Sequence, residues 1–531
     1  VEATDVIWLL AACTPDVSLP EYGGWPLWFP RDLADATDLG HEPSESPVTA
    51  PSGLRFVDGT VEAGLGGAVG GGNQHGVAIA LVDVDADGDP DALFANGTGN
   101  RSGLRFRSTF WRNEGGTFAA DQAALGGALD GLDTYSVAAG DVDADGDVDL
   151  YVGAQPTNVL LRNRGDGTFT DATAESNAAA TRSNPQLVAD GRGKVVAIDD
   201  FDGDGALDLL SATSTQPRPG ATLLHNRGDG TFEDWTERSG VRIAETGNPC
   251  AVLFTDYDND GHRDLWIWND RGGHLLLHHD GEAWEDFGTQ ADHVDIRNPM
   301  GIDAADVDRD GDLEYYVGNI GPHPLLDNLG NGNFVDLSRA AGTTGEYGWG
   351  LGFRDFDLDG WVDLLVAQED GRSTVAYRNR TDRTFARSDL APPPLTDPSD
   401  AHNVPAAFAD VDGDGRTDAL LSRTDGSPVQ LLRNVTDVGG RSFLDVVVAE
   451  APDTGARGGV GARVVIGAGG VVRFLDLHGG SSRASQSELS ARFGLDGWSG
   501  ADFVVVAFPG GAVRSYVNVP AGTLVVGEPE P

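Results

Sequence analysis

The chain has 531 residues, with 84 acidic side chains against 36 basic ones and a formal net charge of -48. That excess counts against nucleic acid as a partner, which needs a basic footprint, while 40% hydrophobic content and 11 tryptophans count against a disordered chain. Two cysteines, Cys13 and Cys250, are too few for a disulfide framework.

Residues 1–13 read VEATDVIWLLAAC. The apolar run Ile7 to Ala12 ends in Leu10-Ala11-Ala12-Cys13, which resembles a truncated bacterial lipoprotein signal and makes Cys13 the expected position of a lipid anchor. Residues 14–52 read as a linker rich in Pro, Ser, Glu and Asp, interrupted by Tyr22, Trp25, Trp28 and Phe29. No stretch reaches 18 consecutive apolar residues, so no transmembrane helix is expected.

From Asp83 an acidic phrase recurs seven times, with first aspartates separated by 58, 59, 56, 50, 49 and 55 residues. Loop one is Asp83, Asp85, Asp87, Gly88, Asp89 and Asp91. Loop two is Asp141, Asp143, Asp145, Gly146, Asp147 and Asp149, and loop three is Asp200, Asp202, Asp204, Gly205 and Asp208. Loop four is Asp256, Asp258, Asp260, Gly261 and Asp264. Loop five is Asp306, Asp308, Asp310, Gly311, Asp312 and a closing Glu314, which marks it as the loop expected to differ. Loop six is Asp355, Asp357, Asp359, Gly360 and Asp363, and loop seven is Asp410, Asp412, Asp414, Gly415 and Asp418. Oxygens at positions 1, 3 and 5, a carbonyl at position 7 and a glycine at position 6 are the requirements of a Ca²⁺ loop. The bidentate Glu at position 12 of an EF-hand is missing, and short apolar strands flank the loops in place of helices. Clustered carboxylates repel one another, and a hard divalent cation relieves them. Ca²⁺ is expected over Mg²⁺, which demands tighter octahedral geometry. Seven Ca²⁺ ions at two charges each would move the formal charge from -48 to -34.

A second phrase trails each loop. It reads Leu160-Leu161-Arg162-Asn163-Arg164-Gly165-Asp166-Gly167-Thr168-Phe169 and returns at Leu223 and Leu325, with degraded copies from Trp111, Leu276, Tyr377 and Leu431. Strand, Asn-x-Gly-Asp-Gly turn and strand is its natural reading. Each unit then has four strands, and seven such units make a seven-bladed β-propeller over residues 53–434. The opening phrase Gly53 to Thr60 matches a fourth strand without its first three, and the last unit ends at Asn434 without its fourth. The surplus strand fills the gap, so the ring closes and leaves no free edge. Cys250 and Met300 each stand six residues before a loop, which places them alike as core packing between blades. Residues 435–531 lose the acidic loop and alternate apolar runs with Gly and Ser clusters, the pattern of a small β-sandwich or barrel.

These motifs carry a family resemblance. The Asp-x-Asp-x-Asp-Gly-x-x-Asp loops and the trailing Asn-x-Gly-Asp-Gly-x-Phe phrase resemble the FG-GAP/VCBS repeats of integrin α-subunit propellers and their bacterial relatives. Gly458 to Val464, Ser485-Gln486-Ser487-Glu488, Phe493-Gly494-Leu495, Ala507 to Gly511 and Val526-Gly527-Glu528 are similar to the ASPIC/UnbV domain, and the pairing resembles the cartilage acidic protein family. Two phrases depart from the family pattern: Ala456-Arg457 lacks its asparagine, and Phe508-Pro509-Gly510-Gly511 stands where Trp-Pro-Ser-Gly is usual. The resemblance implies a secreted or surface-exposed Ca²⁺-binding protein, and it supports fold more than activity.

The expected function is an extracytoplasmic, Ca²⁺-stiffened module that binds a protein or glycan or serves as a scaffold. Weak Ca²⁺ sites fill outside a cell but not in a cytoplasm. The alternative is an extracellular hydrolase or lyase with its site at the central mouth opposite the loops. Eight residues before each loop stand His75, Asp133, Arg192, Asn248, Asn298, Tyr347 and His402. Of these, His75 and His402, joined by Asp133, are the set an acid–base or metal role would need. His274, His278, His279 and Glu282 form no His-Glu-x-x-His pattern and read as an exposed hairpin.

Overall fold

The computed structural model describes residues 53–68, 77–96, 107–180, 194–213, 220–239, 249–270, 273–281, 283–287, 298–329, 332–368, 372–390, 405–423, 428–451, 458–480 and 482–527. Cys13, the linker aromatics, His75, Arg192, Asn248, Glu282 and His402 lie outside them.

The chain is all-β. Short runs of β-branched and aromatic residues form seven four-stranded antiparallel sheets, consistent with the blades of a propeller. Their first strands are Ala78–Val82, Asp133–Gly140, Lys194–Asp199, Pro249–Thr255, Pro299–Ala305, Gly348–Arg354 and Ala406–Ala409. In every sheet the residue just before the acidic loop pairs with the acid that closes it, from Val82 with Asp91 to Ala409 with Asp418. The loops are therefore seven copies of one hairpin connection.

Ring closure follows from three observations. Phe56 pairs with Asn434, so strand Phe56–Asp58 completes the last sheet, in the order the surplus and missing strands require. Each first strand touches the first strands of its two neighbours, and Ala78–Val82 touches Ala406–Ala409. The asparagine of the second phrase also reaches backwards, donating from Nδ2 to a loop carbonyl of the preceding sheet. Asn163 donates to Val84 (2.6 Å), Asn226 to Val142 (2.7 Å), Asn328 to Tyr257 (2.6 Å), Asn379 to Val307 (3.0 Å) and Asn434 to Phe356 (2.8 Å). Asn113 of the first sheet donates to Val411 of the seventh (2.9 Å), which closes the circle. The fourth sheet carries His279 at that position.

The C-terminal part has two sheets. One joins Ser490–Gly494, Phe443–Val448 and Gly522–Val526, and the other joins Val471–Asp476, Arg463–Ala468, Gly500–Ala507 and Val513–Pro520. Leu444, Val446, Val464, Ile466, Phe493, Val504 and Val506 fill the core between them. The four-stranded sheet is also buried on its far face. There Val465, Phe474, Phe503 and Val505 pack with Trp266, Tyr315 and Ile302 of the repeats. The C-terminal part is docked on the ring.

One segment goes further, into the ring. Residues 478–480 and 482–488 form hydrogen bonds or bridges with the first strands of six sheets. Gln486 exchanges backbone bonds with Ile79 and Leu81, Val137 N–H donates to Ala484, Ile198 N–H donates to Gly479, and Glu488 N–H donates to Phe408. Ser482 bridges Ile302, and its hydroxyl accepts from Leu351 N–H at 2.8 Å. A segment this short can reach six strands arranged in a circle only by lying on the axis. The central channel is thus filled by this segment. At its inner end Arg483 lies over Trp349 at 4.0 Å, with Nη1 3.2 Å from the Met300 sulfur. Cys250, Met300 and Trp349 share one small buried cluster, as core packing requires, and burial pushes the Cys250 thiol up. Asn298 and Tyr347 stand two residues before Met300 and Trp349 in their strands' approach.

Gln486 holds the filled channel by all its polar atoms. Its Oε1 accepts from Ala139 N–H (3.1 Å) and Gly480 N–H (2.6 Å), and its Nε2 donates to His478 (3.0 Å) and Ser487 (2.8 Å). Gln486→Ala leaves two N–H groups without partners where water cannot reach them, an expected loss of about 2–4 kcal/mol in a urea titration.

Candidate functional site

All seven loops have one backbone. The fourth position is left-handed in each, at Ala86, Ala144, Gly203, Asn259, Arg309, Leu358 and Gly413, with φ between 56° and 74°. The sixth is glycine with φ between 82° and 97°. Two left-handed residues in three turn the chain tightly enough for carboxylates 1, 3 and 5 to face one point. Local hydrogen bonds fix that turn. In six loops the sixth-position N–H donates to the first aspartate at 2.7–3.2 Å. In all seven the N–H of position 7 donates to the position 5 carboxylate at 2.8–3.1 Å.

The closing acids, Asp91, Asp149, Asp208, Asp264, Glu314, Asp363 and Asp418, are at most 2% exposed. In six sheets their carboxylate accepts an N–H from the third strand at 2.6–2.9 Å. Glu314 keeps the same register and accepts from Val307 N–H at 2.8 Å, but its Oε1 has no hydrogen-bond partner, where the six aspartates hold an N–H of the third strand. Loop five thus differs as expected, and the opposing cation differs there as well. Elsewhere the third strand supplies it: Arg112 meets Asp85, Arg162 meets Asp143 (2.5 Å), Arg378 meets Asp357 and Arg433 meets Asp412. In sheets three and four the residue is His225 or His278. In sheet five it is Asp327, and Arg383 of the next sheet crosses over to Asp308 at 2.5 Å.

At most three cations against four or more carboxylates leave each loop negative. The deficit shows in atoms that no hydrogen bond satisfies: Oδ1 of Asp85, Asp143, Asp202, Asp258, Asp357 and Asp412, Oδ1 of Asp306, Oε1 of Glu314, and Oδ2 of Asp91 and Asp418. Buried carboxylate oxygens without partners are costly. Burial pushes Asp91 and Asp306 up to about 7 and Asp418 to about 8, with neighbouring carboxylates adding to the shift. In Asp83/Asp85/Asp87, Asp141/Asp143/Asp149 and Asp200/Asp202/Asp204, one oxygen from each residue lies within 4.8 Å of the others. That is about twice a Ca–O bond of about 2.4 Å. All-oxygen donors, converging and under-satisfied, fit a hard divalent cation. The side chains of Asp89 and Asp312 turn away to Gly115 N–H (2.7 Å) and Asn259 Nδ2 (2.8 Å), so only the carbonyls of such position 7 residues remain for an ion.

The cations facing the loops escaped the sequence reading, although their signal was present as the third residue of the repeated phrase. The histidine hairpin is corrected outright. His279 is buried and stacks on Trp284 at 4.6 Å, and His278 faces Asp264 at 3.0 Å. Both occupy the phrase positions that are Arg162 and Asn163 in sheet two.

The C-terminal part covers much of the loop face. Gly494 N–H donates to Asp355 at 3.1 Å, Arg492 lies 3.8 Å from Asp410, and Arg463 lies 3.7 Å from Asp256. Beneath Arg463 is a buried charge chain. Asp476 takes Arg463 (2.6 and 2.8 Å) and Arg263 (3.3 Å), and Arg263 reaches Asp199 at 3.6 Å. Burial opposes ionisation of Asp476, but the Arg463 and Arg263 guanidiniums outweigh it and hold the carboxyl well below its ordinary range. Beside this chain a cavity of about 220 Å³ separates loops three and four from Phe508 and Pro509.

Residues 83–152, 141–191, 200–267, 256–317 and 355–421 match the model of the FG-GAP-like repeat, together more than half of the chain. Residues 452–530 match the ASPIC and UnbV model. Cartilage acidic protein 1 of Mus musculus is 25% identical over 308 residues, covering 52% of this chain and 47% of that protein. Its Homo sapiens counterpart is 24% identical over 478 residues, covering 73% and 71%. The chain thus spans about half the length of the mouse relative. A solved Agrocybe aegerita lectin that recognises non-reducing terminal N-acetylglucosamine aligns at a TM-score of 0.40 with 18% identity, over 60% of this chain and 81% of that one, a likeness too loose to carry an argument.

Proposed function

Because the chain belongs to the FG-GAP-like repeat family and carries an ASPIC and UnbV domain behind its repeats, we propose that it is an extracytoplasmic Ca²⁺-binding protein. It is secreted or held at a cell surface, and its metal-pinned ring acts as a protein- or glycan-binding scaffold. The observation that carries this reading is the set of seven loops with one backbone and with carboxylate oxygens that no protein donor satisfies. Each ion would tie the first two strands of a sheet together. The asparagine bond from the next sheet would pass that order around the ring.

The location follows from the metal, since loops of this type fill where free Ca²⁺ is high. Among the described residues no helix is long and apolar enough to cross a membrane. With the channel filled and much of the loop face covered, the rims of the sheets and the mouth around Asp133, Asn298 and Tyr347 are the surfaces left for a partner. Calorimetric titration of Ca²⁺ into chelator-stripped protein is expected to count several ions, up to seven per chain. A flat titration sinks the reading of the loops and the argument for location with it.

A further inference from the structure

The third residue of the second phrase decides what each loop can hold. In sheets one, two, six and seven it is arginine, set against the position 3 carboxylate. A guanidinium is always charged and has no lone pair, so it neutralises a loop but cannot ligate a metal. In sheets three and four an imidazole takes its place, and imidazole nitrogen is a good ligand for zinc and its neighbours.

The geometry suits that use. His225 Nδ1 lies 3.2 Å from Asp202 Oδ2 and 3.4 Å from Asp208 Oδ1. His278 Nδ1 lies 3.5 Å from Asp258 Oδ2 and 3.0 Å from Asp264 Oδ1. Two donors on a four-coordinate zinc, at bonds of about 2.0–2.1 Å and tetrahedral angles, stand about 3.3 Å apart. The four separations bracket that value. The donor atoms of Asp202, Asp208 and His225, and those of Asp258, Asp260 and His278, converge within 4.8 Å. Both rings are held in place. His225 stacks on Trp235 at 3.7 Å and 18°, and His278 meets the edges of Tyr257 at 5.8 Å and Phe287 at 5.3 Å.

We propose that loops three and four are mixed nitrogen–oxygen sites that take a divalent transition ion of the Zn²⁺ class in preference to Ca²⁺. The ligands are His225 Nδ1 with Asp202 and Asp208, and His278 Nδ1 with Asp258 and Asp264. A ligand set containing imidazole favours zinc over calcium, whereas the loops faced by arginine offer oxygen alone. The inference rests on the reading that the acidic loops hold metal.

The test is equilibrium dialysis of the full chain against micromolar Zn²⁺ in millimolar Ca²⁺, with bound metals counted by elemental analysis. Two zinc ions per chain are expected. The variant His225→Arg with His278→Arg installs the residue that four other loops carry, and it should lose both zinc ions while still binding Ca²⁺. A Co²⁺-loaded wild-type chain should show a visible d–d absorption that the variant lacks, a readout that does not depend on zinc counting. Ca²⁺ binding without zinc, or zinc retained in full by the variant, overturns this inference and leaves the calcium reading standing. Failure of both metals to bind overturns both.

Discussion

Stripping divalent ions is expected to lower the melting temperature by about 20 °C at pH 8, and by less than half of that at pH 5.5. An ion held at a free concentration a hundredfold above its Kd stabilises by about 2.7 kcal/mol. Seven such sites, in a chain whose unfolding entropy is about 1 kcal/mol per kelvin at this size, give a shift of that order. The pH dependence comes from the buried acids. Asp91, Asp208, Asp264 and Asp306 are pushed up to about 7 and Asp418 to about 8, with burial as the first cause in each. An unfolded aspartate titrates near 4. Between pH 4 and 8 the metal-free folded chain therefore binds more protons than the unfolded chain, and its stability falls as pH rises. Metal binding expels those protons, so the stability that metal adds grows with pH over the range where the stripped form loses. Scanning calorimetry with and without chelator at the two pH values reads the result directly. A gap that is absent, or that widens toward low pH, would show that the carboxylates are relieved by protein groups alone.

Asp476→Ala is expected to cost about 3–5 kcal/mol and to split unfolding into two transitions, the first of which releases the C-terminal part. Asp476 is the common partner of Arg463 and Arg263, both deeply buried where the two parts of the chain meet. Removing it leaves the two guanidiniums with more distant carboxylates, Asp199 and Asp256 at 3.6 and 3.7 Å, and with the neutral acceptors Gly461 and Asn259. Breaking a buried pair by deleting one partner is costly because the remaining charge keeps its desolvation penalty. The apolar contacts of Val465 and Phe503 with the repeats cannot replace that loss, since they do not solvate a cation. Urea titration followed by tryptophan fluorescence would resolve the two steps. A single transition at the wild-type midpoint would mean that docking rests on the apolar face and on the segment in the channel.

Much of this was legible without coordinates. The loop ligands lie within nine residues of one another, and the left-handed glycine sits among them, so sequence spacing alone carries the geometry. Strand count per unit follows from two repeated hairpins, and circular closure follows from one strand too many at Gly53 and one too few at Asn434. The partners of the loops were harder to see. Arg112 and His225 are visible as the third residue of a repeated phrase, but nothing local shows that this residue turns toward its own loop rather than to solvent. The histidines at 278 and 279 read as an exposed hairpin although the copy of the phrase from Leu276 already puts them at its third and fourth positions, the register that the pairing of Leu277 with Asp286 shows.

The amino-acid sequence by itself determined the repeat, its acidic loops, the closed ring of sheets and the β character of the C-terminal part, because each is written in contacts between near neighbours or in a pattern copied seven times. Only the tertiary structure decided that the channel is filled, that much of the loop face is covered, and which side-chain cation faces each loop. Those outcomes depend on pairings such as Gln486 with Ile79 and Arg463 with Asp256, far apart in the chain and occurring once each. A single contact between distant segments leaves no period in the sequence, so its only record is the packing that buries it.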